Sequence, residues 1–87
     1  MDERSFLQLV GWRIAEVLAG QRSLEELLAE SAVVGWEAHR LGPHADEVVA
    51  DLEALLAWQS EHLLAEEELR SELRALLARV HVLISQS

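Results

Sequence analysis

An 87-residue chain without cysteine has room for one domain, and must hold it without a disulfide or a thiolate–metal staple. A chain this short buries only about 60–65% of its unfolded surface, so its stability has to come from a very regular helical core or from self-association. Sixteen acids against seven arginines, with no lysine, give a formal net charge of −9, which repels nucleic acid and anionic lipid and favours basic partners, cations or simply solubility.

No apolar run approaches the ~20 residues of a membrane span. Met1-Asp2-Glu3-Arg4 lacks the basic start and apolar core of a signal peptide, so a cytoplasmic protein is expected. Lysine, asparagine, threonine, tyrosine and cysteine are all absent. A GC-rich coding bias accounts for some of these losses but not for threonine. A computationally designed or simplified helical sequence, rich in Leu, Ala, Glu and Arg, would share them.

Apolar residues recur at three- and four-residue spacing throughout, which predicts an all-α fold with residues 1–87 in one small domain. Helix 1 is expected from about Asp2 to Ala19. Its apolar face is Phe6, Leu7, Val10, Ile14, Val17 and Leu18, and Gly20 is its stop. Ser23-Leu24-Glu25-Glu26 reads as a capping box that opens helix 2, which runs to about Leu41 and ends at Gly42-Pro43. The face of helix 2 is unusually small at its centre, with Ser31, Gly35 and Ala38.

From His44 to Ser87 there is neither glycine nor proline. The apolar face of residues 69–84 is rotated by about −70° from that of residues 48–63, the drift of one supercoiled helix over about three heptads. One long helix, about 60 Å, is therefore expected. The helix 1–helix 2 hairpin would cover only part of it, and a second copy would cover the rest, making a coiled-coil-like homodimer. The alternative is a four-helix bundle with a break near Ala65. Gln59 falls at the centre of the long helix's apolar face, where a single polar residue sets register or oligomer state.

Three groups of residues are candidates for function. Trp12, Trp36 and Trp58 each sit off the centre of an apolar face, as interface anchors do. Between Arg40 and Arg70 there are eight acids and no Lys or Arg. This strip, with Asp46, Asp51, Glu61 and Glu67 as its chosen points, would receive a basic partner or the Arg70–Arg79 end of an antiparallel second copy. Gly11, Ser31 and Gly35 mark either close helix packing or room for a flat ligand, since a mid-helix glycine costs about 1 kcal/mol.

None of the four histidines pairs at i,i+3 or i,i+4 on one helix, so the two-histidine helical clamp is missing. His39, His44 and His81 could still gather at one end of the molecule, and three imidazoles plus water would make an open zinc site. Ser60-Glu61-His62 resembles a triad in letters only, because adjacent helical side chains diverge by about 100°. The leading expectation is a non-catalytic acidic helical protein that acts by protein–protein contact, as an adaptor, inhibitor or chaperone-like partner, with no cofactor. The alternative is a helical bundle carrying a histidine-ligated zinc or a haem-like tetrapyrrole, with Lewis-acid or hydrolytic chemistry.

Overall fold

A computed structural model describes residues 2–27, 29 and 40–86. The fold is all-α. Helix α1 spans Glu3–Leu18, α2 spans Pro43–Ser60 and α3 spans Glu66–Gln86. Residues 24–27, 29, 40 and 41 are also helical, as the second predicted helix requires. The rest of that helix, with Ser31, Gly35, Trp36 and His39, lies outside the described residues.

The starts and stops follow the sequence signals. Asp2 caps α1 by accepting the Ser5 amide at 2.7 Å, and that bond holds the Asp2 carboxyl below its ordinary pKa. Gly20 takes φ +79 after α1. The Gly20 and Gln21 amides bond back to the Val17 and Glu16 carbonyls, which is a Schellman ending. Ser23 accepts the Glu26 amide at 3.1 Å, and its hydroxyl turns to the Glu26 carboxylate. Pro43 opens α2, where its missing N–H costs nothing.

The single long helix does not form. Among the described residues, α2 ends at Ser60 and α3 begins at Glu66, so the break near Ala65 held as the alternative is the one present. The Cα extents of 33 × 23 × 20 Å could not hold a helix of about 60 Å. The ending is a second Schellman motif. The His62 amide bonds to the Gln59 carbonyl, and the Leu63 amide to the Trp58 carbonyl. His62 occupies the left-handed position at φ 59, the role that Gly20 plays after α1. Gln59, placed by sequence at the centre of a buried face, is instead exposed in the last turn of α2.

The apolar faces meet in one core. Phe6, Leu7, Val10 and Ile14 of α1 join Leu24, Leu27, Val48, Leu52 and Leu55, and Leu69, Leu73, Leu76 and Val80 of α3. Because α3 doubles back, it runs antiparallel to both α1 and α2. The antiparallel match of basic and acidic ends expected between two copies is made within one chain: Arg79 reaches Glu47 at 2.6 Å and Asp51 at 2.8 Å.

Two helix ends are completed by other helices. α2 has no side-chain cap of its own at Gly42. The Glu3 carboxylate of α1 accepts the His44 and Ala45 amides, at 3.1 and 3.2 Å. α1 has no basic residue in its last turn, and the Arg70 guanidinium of α3 donates to the Leu18 carbonyl there.

Gly42 sits at φ +151, and a Cβ on it would lie 2.0 Å from the Glu3 carboxylate. Gly42→Ala should therefore destabilise by about 1–3 kcal/mol, and Glu3→Ala by about 1 kcal/mol through the lost cap. The double variant should cost less than the sum of the two, because removing the carboxylate frees the space the new methyl needs. Urea midpoints of the four proteins in this cycle check it; strict additivity would contradict the contact.

Candidate functional site

Outside the core, the described surface carries an apolar groove between α1 and α3. Gly11, Trp12 and Ala15 form one wall, and Leu77, His81 and Ile84 the other. Helical spacing explains both walls. Gly11 and Ala15 share one edge of α1, and Trp12 stands beside Gly11. Leu77, His81 and Ile84 recur at i, i+4 and i+7 along one edge of α3. The antiparallel crossing brings the two edges together.

Gly11 sets how close the two helices come. It is buried, and a Cβ on it would lie 3.3 Å from Val80 Cγ1 and 3.7 Å from Leu77 Cδ1. The glycine thus serves close helix packing and also forms the groove wall at that point. Trp12 is 72% exposed, the most exposed large apolar side chain described. His81 is exposed as well.

Three residues singled out for three different reasons therefore converge: Gly11 as a small-residue position, Trp12 as an anchor and His81 as a ligand. Trp58 does not join them. It is 44% exposed and stands in a separate groove between α2 and α3, with Asp51, Leu55, Glu72, Leu76 and Arg79. Asp51 there is already engaged by Arg79. Asp46 and Glu61 are exposed, and Glu67 is exposed beside Arg70 and Arg74.

His44 sits in the first turn of α2, where its backbone amide is tied to Glu3. Among the described residues no three of His, Cys, Asp and Glu come together as a metal-binding group; His39 lies outside them. Among the same residues no helix is long and apolar enough to cross a membrane.

A further ionic cluster braces the end of α1. Glu16 bonds Arg22 at 3.1 Å and Arg13 at 3.0 Å. The Arg22 hydrogen bond, helped by the Arg13 charge, holds the Glu16 carboxyl below its ordinary pKa against the opposing effect of desolvation. Leu77, Ile84 and Ala15 were not separable from core residues by pattern alone. They become groove walls because each lies at the margin of its helix's apolar face. Comparison with protein-family models, with curated proteins and with solved structures gave no match.

The close approach at Gly11 has a direct test. Gly11→Leu should destabilise the protein by about 1–3 kcal/mol through overpacking against Val80 and Leu77. A thermal melt at or above that of the parent would mean that the helices are not in contact there.

Proposed function

We propose that this chain is a non-catalytic helical protein that acts by binding another protein, with the α1/α3 groove as docking surface and Trp12 as anchor. The observation that carries this reading is the 72% exposure of Trp12 at the mouth of an open, mainly apolar groove. Covering about 100 Å² of a tryptophan is worth about 2.5 kcal/mol, and tryptophans in such positions dominate the energetics of interfaces.

The groove suits an amphipathic helix that presents an apolar ridge. The net charge of −9 favours basic flanks on that helix. The exposed acids Asp46, Glu61 and Glu67 lie outside the groove, so their part is to steer a basic partner by long-range attraction, while Trp12 supplies affinity.

A labelled Leu/Arg amphipathic helical peptide is the probe. Trp12→Ala should weaken its binding by at least about tenfold, equivalent to about 1.4 kcal/mol, with the melting temperature unchanged. A Leu/Glu peptide of the same apolar pattern should not bind. Equal binding to the Trp12→Ala protein, or equal binding of the acidic peptide, would sink the reading.

One observation favours a second reading. His81 and Trp12 line the same apolar groove, so a tetrapyrrole lying in that groove would be held by one imidazole. On this reading, titration with haemin gives a Soret shift saturating near one equivalent, and His81→Ala abolishes it. A haemin spectrum indifferent to His81→Ala removes this alternative.

A further inference from the structure

We propose that this chain forms a domain-swapped homodimer, in which residues 61–65 straighten and α2 and α3 become one helix from Pro43 to Gln86. Each α3 then packs into the body of the other copy. The inference concerns the turn, not the α1/α3 groove, and stands whether or not that groove binds a partner.

The turn itself supplies the first argument. No glycine or proline stands between His44 and Ser87, and the turn sequence Glu-His-Leu-Leu-Ala holds four strong helix formers and no breaker. The backbone nonetheless places His62 at φ 59. A residue with a Cβ is disfavoured there by about tenfold or more relative to the right-handed helix. The hairpin holds because α3 gains its burial by folding back, and not because the turn prefers to bend.

The pattern on either side supplies the second. The apolar faces of α2 and α3 are related by the rotation of one supercoiled helix, so straightening keeps both faces on a single stripe. Leu63, 63% exposed within the turn, falls on that stripe at i+7 from Leu56. In the swapped form two straightened segments cross antiparallel near the two-fold axis, where Leu63 gains a partner. Gln59, exposed in the hairpin, returns to the stripe as the polar residue that fixes the register of the crossing.

The contacts of α3 supply the third. Arg79 with Glu47 and Asp51, Arg70 with the Leu18 carbonyl, and the approach of Val80 to Gly11 can all be made equally well by the α3 of a second copy. Exchange therefore keeps the core contacts that α3 makes, while Leu64, partly buried against the core within the turn, has to repack. It must offset that repacking, the repulsion of the acids near the turn and the entropy of association, and a short hinge under strain is the setting in which swapping is least costly.

His62 is the control point, and two substitutions there push in opposite directions. His62→Gly favours the left-handed turn and disfavours the helix, whereas His62→Ala does the reverse. Each hinge occurs twice per dimer. The dimer dissociation constant should therefore rise by at least about tenfold in His62→Gly and fall by at least about tenfold in His62→Ala. Light scattering across a concentration series reads the mass of all three proteins.

Hydrogen exchange then identifies the kind of dimer. In the hairpin the first bond closing α3 runs from the Leu69 amide to the Ala65 carbonyl, so the amides of Glu66, Glu67 and Glu68 precede it. A continuous helix bonds all three, and they should be protected in the dimer alone. Three outcomes would overturn the proposal: all three proteins monomeric up to millimolar chain, one dissociation constant shared by all three, or a dimer whose Glu66–Glu68 amides exchange as fast as in the monomer.

Discussion

Glu3 and Arg70 each complete a helix to which they do not belong, and the arrangement of α1, α2 and α3 rests on these two caps and the core between them. Glu3 brings the start of α1 to the open amides of α2. Arg70 brings the start of α3 to the open carbonyls of α1. Both interactions satisfy groups that a helix end leaves unpaired and place a charge where the helix dipole favours it. They tie α1 at both ends, once to α2 and once to α3, so it can neither slide nor splay against them without losing a cap. Gly42 is needed for the first of them, because only a residue without Cβ leaves room for the carboxylate.

From that clamp the groove follows. α1 pinned against α3, with Gly11 at their closest approach, leaves the margins of both helices slightly parted. A larger residue at Gly11 would push the axes apart. The side chains at those margins are too apolar to be indifferent to water and too far from the core centre to be buried. Trp12 is the extreme case. A chain of this size cannot build a core wide enough to cover every apolar edge, and the edges left over are where another molecule gains most by binding.

Much of the fold was legible in the sequence. The faces Phe6–Ile14, Val48–Leu55 and Leu69–Val80 are buried as their periodicity requires, and Gly20, Ser23 and Pro43 punctuate the chain where turn chemistry places them. The turn at residues 61–65, where the pattern favours one long helix over a break, is the main departure from the sequence signals, and its cause is physical. Helical periodicity on the two sides matches one continuous helix, and no strong breaker marks the turn. The weak signal was His62, since histidine is among the few non-glycine residues enriched in the left-handed region. Ala45, wholly buried, left no signal because alanine is at home inside or outside. Gly11, Trp12 and His81 could each be marked from sequence, but their convergence depends on α3 reversing direction, which the pattern did not reveal. Glu3 could not be assigned its role at all, since its partners lie about forty positions away.

Residues 61–65 form a turn although their composition suits a helix, and the proposed exchange turns on that mismatch and on the charges around it. Glu61, Glu66, Glu67 and Glu68 crowd the turn. Within α3, Arg70 and Arg74 lie beside Glu66 and Glu67 in either form. In a straightened pair, two sets of these acids would meet across the two-fold axis, and their repulsion would act over about 10 Å at moderate ionic strength. The apolar stripe and the strained His62 favour the long helix, while the acids favour the turn. In the proposed exchange these acids would set part of the cost, and salt, by screening it, would move the balance towards the long helix.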